Sequence, residues 1–246
     1  FAILSFAEAA DRVDPTVKEA KEKACVWLKN QKVPNNLVMD PQPERRNLVL
    51  SYEIPQNDPA YPYIFGRSII YDDALASIAL TMQKDYKSAA QILLALKRLQ
   101  RPDGGLWFGY NVNNDWPSEK DFEGSVERTG ATAWVGYAAV YYLKARAGDD
   151  ASFIQTSREA KAILEFARTL ADYLVKLQIQ KSSDLRFGLM TGGKNSFTLK
   201  FENNAVSELF TSEEIGWVSA EHNIDAYFFL KEIAALTKNE QYLRSA

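Results

Sequence analysis

The 246-residue chain predicts an all-α fold, a double ring of helical hairpins in which inner helices alternate with outer ones. Three observations predict it. Apolar residues recur at about 3.6-residue spacing through six long segments. Three of those segments are apolar on every side, three carry one apolar stripe with Lys and Arg outside, and the two kinds alternate. The connections alternate too, short after an apolar-all-round helix and long before the next. A helix apolar all round is buried and a striped one is peripheral, so the alternation describes an (α/α) toroid.

The elements follow in order. Asp14-Pro15 opens the first helix, with Pro in the favoured first turn, and the pattern runs through Val17, Ala20, Ala24, Trp27 and Leu28 to about residue 31. Cys25 lies on its apolar face and reads as inert core. A long connection carries Pro34, Pro41, Pro43, Pro55, Pro59 and Pro62 and one β-like run at 47–52. Loops of this length in a compact domain are often functional. Helix two covers 72–83 and helix three 86–99, stopped by Gln100-Arg101-Pro102-Asp103-Gly104-Gly105. The loop after it carries Leu106-Trp107-Phe108-Gly109-Tyr110 and runs to about 127. Helix four covers 130–147 and helix five 157–178. An irregular stretch at 182–214, with Gly188, Gly192 and Gly193, suits a short hairpin, and helix six starts near 220. Segments repeat: Asp73-Ala74-Leu75, Thr132-Ala133-Trp134 and Asp225-Ala226-Tyr227 align at the starts of helices two, four and six.

Composition sets bounds. At 46% hydrophobic, the chain supports a sizeable core, as one domain over 1–246 or the N-terminal part of one. Residues 1–13 read as a leader remnant or an N-terminal extension, and both ends read as cut from a longer chain. Net charge is −3 with interspersed charges and no basic stripe, which argues against nucleic acid as a partner. No apolar run approaches the ~18 residues of a membrane span. One cysteine and one histidine leave no His/Cys metal site, no calcium-loop spacing is visible, and no cofactor is expected.

The long loops all precede inner helices, so they gather over inner-helix N-termini, where backbone N–H groups and the helix dipole favour negative charge. Asp72, Asp73, Glu221 and Asp225 fall there. Glu221 and Asp225 are four apart and share one helix face. Two like charges that close push one pKa upward, which suits a proton donor. Glycosidic cleavage needs two carboxyl groups flanking the bond, plus aromatic faces for sugar rings. Trp107, Phe108, Tyr110, Trp116, Trp134 and Trp217 supply the aromatics at the same rim, and Arg128 and His222 supply polar contacts. Plainer readings stand beside these. Asp72 and Asp73 suit helix N-caps. Glu221 with Asn223 suits a capping arrangement, His222 suits a satisfied buried histidine, and the tryptophans suit plugs. Gln100 and Asp103 read as a turn device.

Tyr71-Asp72-Asp73-Ala74-Leu75-Ala76, Gln100-x-Pro102-Asp103-Gly104-Gly105-x-Trp107, Thr129-Gly130-Ala131-Thr132-Ala133-Trp134-Val135 and Glu221-His222-Asn223-Ile224-Asp225-Ala226-Tyr227 resemble segments of the six-hairpin glycosidase superfamily, bacterial cellulase-like (α/α)-toroid enzymes. The resemblance covers most of 16–246, about half a toroid. It implies an incomplete six-hairpin barrel with further repeats after residue 246 and a carbohydrate substrate. The residues do not fix the compartment, with a periplasmic or secreted one slightly favoured over the cytoplasm. The resulting expectation is a glycoside hydrolase. Asp72 or Asp73 pairs with Glu221 or Asp225 as acid and base. Trp107, Trp134 and Trp217 stack sugars, with Tyr71, Tyr110, Arg128 and His222 binding substrate. The alternatives are a non-hydrolytic toroid enzyme (lyase, sugar epimerase or terpene-type cyclase) and a glycan-binding domain without catalysis.

Overall fold

The computed structural model describes residues 15–113, 124–150, 152–202 and 205–246, with only the backbone of residue 15 and of 195–212. Trp116 and segment 1–13 lie outside the described residues. The helices are α1 (Pro15–Asn30), the single turn α2 (Tyr61–Ile64), α3 (Ile70–Met82), α4 (Tyr86–Arg98), α5 (Thr129–Asp149), the short α6 (Phe153–Thr156), α7 (Arg158–Lys176), α8 (Ala220–Thr237) and α9 (Glu240–Ser245). An inner row is formed by α3, α5 and α8, with α5 in the middle, and α4 and α7 pack behind it. This is an arc of the (α/α) toroid.

Local chemistry sets the outer helices. Asp85 caps α4 by accepting from Ser88 N, and Ser157 caps α7 by accepting from Ala160 N, both at 3.2 Å. Their apolar stripes are buried against the inner row. Leu93 and Leu96 on α4, and Ile163, Phe166, Leu170 and Leu174 on α7, are fully buried. Each such side chain contributes about 1.5–3 kcal/mol. The inner helices interlock through small residues: a Cβ on Gly136 of α5 would lie 2.2 Å from the Phe229 ring of α8.

One expectation fails in part. The inner helices are apolar all round, yet only α5 exposes no large apolar side chain. Leu75 and Met82 on α3, and Ile224, Tyr227 and Phe228 on α8, are exposed. The reason is position: α5 has an inner helix on each side, whereas α3 and α8 each have one. Cys25 likewise is only partly buried, because α1 lies at the periphery with Val17, Val26 and Trp27 exposed.

Short strands lead into the inner helices. Strand β1 (Arg67–Ile69) pairs antiparallel with β2 (Gly109–Asn111), Ser68 opposite Tyr110, and runs straight into α3. Strand β3 (Glu127–Arg128) runs into α5 and pairs with β4 (Gly193–Glu202), Arg128 opposite Gly193. Strand β5 (Ala205–Glu214) completes the hairpin expected at 182–214. The β-like run at 47–52 gives a single bridge, Lys32 to Val49. At the turn after α4, Gln100 Nε2 donates to Gly104 O and Gly105 N donates to Asp103 Oδ1, while Gly104 takes φ +100°, so these residues build a turn. No helix among the described residues is long and apolar enough to cross a membrane.

Candidate active site

The first turns of α3, α5 and α8 converge on one basin. Ser219 caps α8 by accepting from His222 N at 3.4 Å, which fixes the start of the helix that carries Glu221, His222 and Asp225. Asn223 faces away from the basin and clamps the preceding chain. It accepts from Met190 N and donates to Met190 O and Ser219 O. Gly130, in the first turn of α5, is the floor. A Cβ there would lie 2.5 Å from His222 Cδ2 and 3.0 Å from the Tyr71 hydroxyl.

Tyr71, from α3, joins the two acids of α8. Its hydroxyl lies 3.1 Å from Asp225 Oδ2 and 3.4 Å from Glu221 Oε1. It has one proton for two acceptors. Burial, then the nearby Glu221 charge, raise the Asp225 pKa above the usual carboxylate range, against the hydrogen bonds from Tyr71 and Trp134. Burial and the charge of Asp225 also push the Tyr71 hydroxyl up, so it stays protonated. Asp225 opens onto a cavity of about 280 Å³ lined by Trp134, Tyr137, Ile224 and Phe228.

Beside the acids stand two buried polar atoms, one from Arg128 and one from His222. Arg128 Nη1 and His222 Nδ1 are buried and have no hydrogen-bond partner among the described residues. Arg128 lies 5.8 Å from the Trp217 ring and His222 5.6 Å from it. Burial lowers both pKa values, and the Arg128 charge lowers that of His222 further, with Glu221 opposing. Trp217 is half exposed and rests on Gly192, where a Cβ would lie 2.5 Å from the ring. A buried donor without an acceptor carries a desolvation cost that an anionic ligand would relieve.

The remaining candidates go elsewhere. Asp73 is fully buried. Oδ1 accepts from Val49 N and Oδ2 from Ser68 Oγ, both at 2.8 Å, and burial pushes its pKa up to about 7. It ties the connection before α3 to β1 and α3. Asp72, one residue earlier, is exposed and lines a different cavity with Trp27, Gln31, Ser51 and Leu75. Trp107 sits under Arg101, whose guanidinium lies 3.8 Å from the ring, and Tyr110 is buried with its hydroxyl accepting from Trp107 N. Sequence reasoning missed Glu127. This fully buried residue pairs with Arg101 Nε at 2.6 Å and accepts from the Tyr173 hydroxyl. Burial raises its pKa, Arg101 and Lys194 notwithstanding. It anchors β3 and so fixes Arg128, the next residue. No periodicity or motif in the sequence marks it. No group of three or more His, Cys, Asp or Glu among the described residues is placed to hold a metal.

Three solved structures share this fold. A family 105 glycoside hydrolase from C. acetobutylicum ATCC 824 superposes with a TM-score of 0.55 at 10% identity, over 84% of this chain and 52% of that one. Unsaturated glucuronyl hydrolase from Bacillus sp. GL1, responsible for the degradation of glycosaminoglycan, gives 0.55 at 16% identity over 97% and 55%. UGL with dGlcA-Glc-Rha-Glc gives 0.53 at 17% identity over 94% and 53%. The chain thus shares the (α/α)-toroid fold of these neighbours and spans about half their length. No family model and no curated protein sequence matches it.

Proposed function

We propose that this chain carries the active-site arc of a glycoside hydrolase acting on an oligosaccharide that bears an acidic sugar. The observation that carries the reading is the Tyr71 hydroxyl held between Glu221 and Asp225. Two carboxyl groups that share one hydroxyl are close enough to act on one glycosidic bond. Asp225, with its raised pKa, donates the proton to the leaving oxygen. Glu221 is the second carboxylate. Tyr71 orients both. Trp217 stacks the sugar, and Arg128 Nη1 and His222, in the tautomer with its proton on Nδ1, take its carboxylate. The toroid neighbours, whose names include a glucuronyl hydrolase, support this assignment. A lyase using Tyr71 as base is disfavoured, because the raised Tyr71 pKa keeps that hydroxyl protonated.

The test is turnover of uronate-bearing and neutral oligosaccharides, read as released reducing ends. Asp225→Asn and Glu221→Gln should keep the circular dichroism spectrum and lose roughly 10²-fold or more in kcat. Wild-type activity should fall as pH rises through the elevated Asp225 pKa, because the acid must be protonated to act. Full activity in both variants would refute the pair. Binding without released ends in the wild type would mark a glycan-binding domain instead.

A further inference from the structure

A second cavity, of about 280 Å³, lies on the other side of α3, between α1 and the connection before β1. Its wall holds the charged residue that the basin does not use. Asp72, exposed in the first turn of α3, makes no hydrogen bond or ion pair with the described residues. Gln31 lines the same cavity and is only 3% exposed. Its Nε2 donates to Glu53 Oε2 at 3.1 Å, and its Oε1 is buried without a partner among the described residues. Trp27 forms a third wall. Its indole N–H donates to the same Glu53 oxygen at 3.0 Å, which anchors one edge of the ring while 53% of the residue stays exposed. Leu75, Ala76 and Ala79 give an apolar floor.

The chemistry of this wall is opposite to that of the basin. The basin offers the cationic Arg128, with a donor in search of an acceptor. Here the buried atom without a partner among the described residues, Gln31 Oε1, and the exposed Asp72 carboxylate are both acceptors, and no described lining residue is cationic. These walls suit a ligand that supplies hydrogen-bond donors, carries no acid group and has one apolar face for an indole. A sugar ring with its hydroxyls intact meets all three requirements. We propose that this cavity is a second carbohydrate-binding site, holding one neutral or amino sugar ring on Trp27 with hydroxyls donated to Gln31 and Asp72. The site is separate from Glu221 and Asp225 and stands whether or not those residues catalyse.

The test is titration of the full chain with methyl β-glucoside, glucosamine and glucuronic acid, followed by tryptophan fluorescence and ligand-detected NMR. The two sugars lacking an acid should bind at roughly millimolar strength. Trp27→Ala, which removes an exposed ring, should weaken that binding by at least about tenfold. Asp72→Asn should weaken glucosamine more than the glucoside. Both effects should persist in the Asp225→Asn background, and Trp27→Ala should leave kcat on a minimal substrate unchanged, so failure of the basin assignment and failure of this one are told apart. Unchanged affinity in Trp27→Ala would overturn the proposal, as would a Trp27 signal that responds to protein concentration and not to sugar, which would mean that a second copy covers this face.

Discussion

Asp73 offers the sharpest test of how the arc is assembled, because its two neighbours predict different outcomes for two substitutions. Its carboxylate takes hydrogen bonds from Val49 N and Ser68 Oγ. Val49 is 2% exposed and Ser68 fully buried, so water does not replace a lost partner. Asp73→Ala strands both donors, at about 1–3 kcal/mol each. Asp73→Asn keeps an acceptor for Val49 and a polar partner for Ser68, and is never charged. The wild type differs from the Asn variant in one respect, the cost of ionising a buried group. Its folded pKa is raised from 3.8 to about 7, so between those values the native state holds a proton that the unfolded state has lost. Stability conferred by the protonated acid is therefore full below about pH 4 and declines as pH rises towards about 7. At about 1.4 kcal/mol per pH unit, the decline relative to Asn is of the order of 4 kcal/mol. Urea unfolding of all three proteins across this range reads both effects. Ala should be the least stable at about pH 4, by roughly 2–6 kcal/mol. The difference between wild type and Asn should shift in favour of Asn with rising pH. Parallel wild-type and Asn curves, or an Ala variant as stable as Asn, would refute the reasoning. An Asn variant that folds yet loses turnover would return Asp73 to the reaction.

Two glycines extend the test to packing and to the basin. Gly136→Ala places a methyl group 2.2 Å from the Phe229 ring and should cost about 1–3 kcal/mol in chemical unfolding; an unchanged midpoint would mean that α5 and α8 are not interlocked there. Gly130→Ala pushes on His222 and Tyr71 together, so kcat should drop by roughly tenfold or more while the thermal midpoint moves by only a few degrees; unaltered kinetics would separate that pair from the chemistry.

Much of the architecture is legible in the residues because it rests on periodicity. The spacing predicts helix two at 72–83 and α3 is Ile70–Met82; it predicts helix three at 86–99 and α4 is Tyr86–Arg98. The stripe on α7 and the unbroken apolar surface of α5 separate an outer from an inner helix before any contact is known. The exposed faces of α3 and α8 were not legible, because an apolar surface says that something suits burial there and not that a neighbour is present.

The side-chain geometry of the basin is a different kind of information. Tyr71, Asp72 and Asp73 are consecutive, and successive helical residues point about 100° apart. One turn therefore sends them to three destinations: Tyr71 to Glu221 and Asp225, Asp72 to the Trp27 cavity, Asp73 into the interior against Val49 and Ser68. Which goes where depends on the rotation of α3, set by its packing against α4 and α5 and by no local pattern. Spacing on a single helix is more robust: Glu221 and Asp225 share a face whatever the rotation, and they are the pair that meets. The same distinction explains the tryptophans. Trp217 is bound to the start of α8 by sequence proximity and reaches the basin. Trp107 hangs on a loop whose course is decided by Arg101 and the buried Glu127, which carries no mark in the sequence. Residues placed by one helix could be assigned in advance, and those placed by two elements could not.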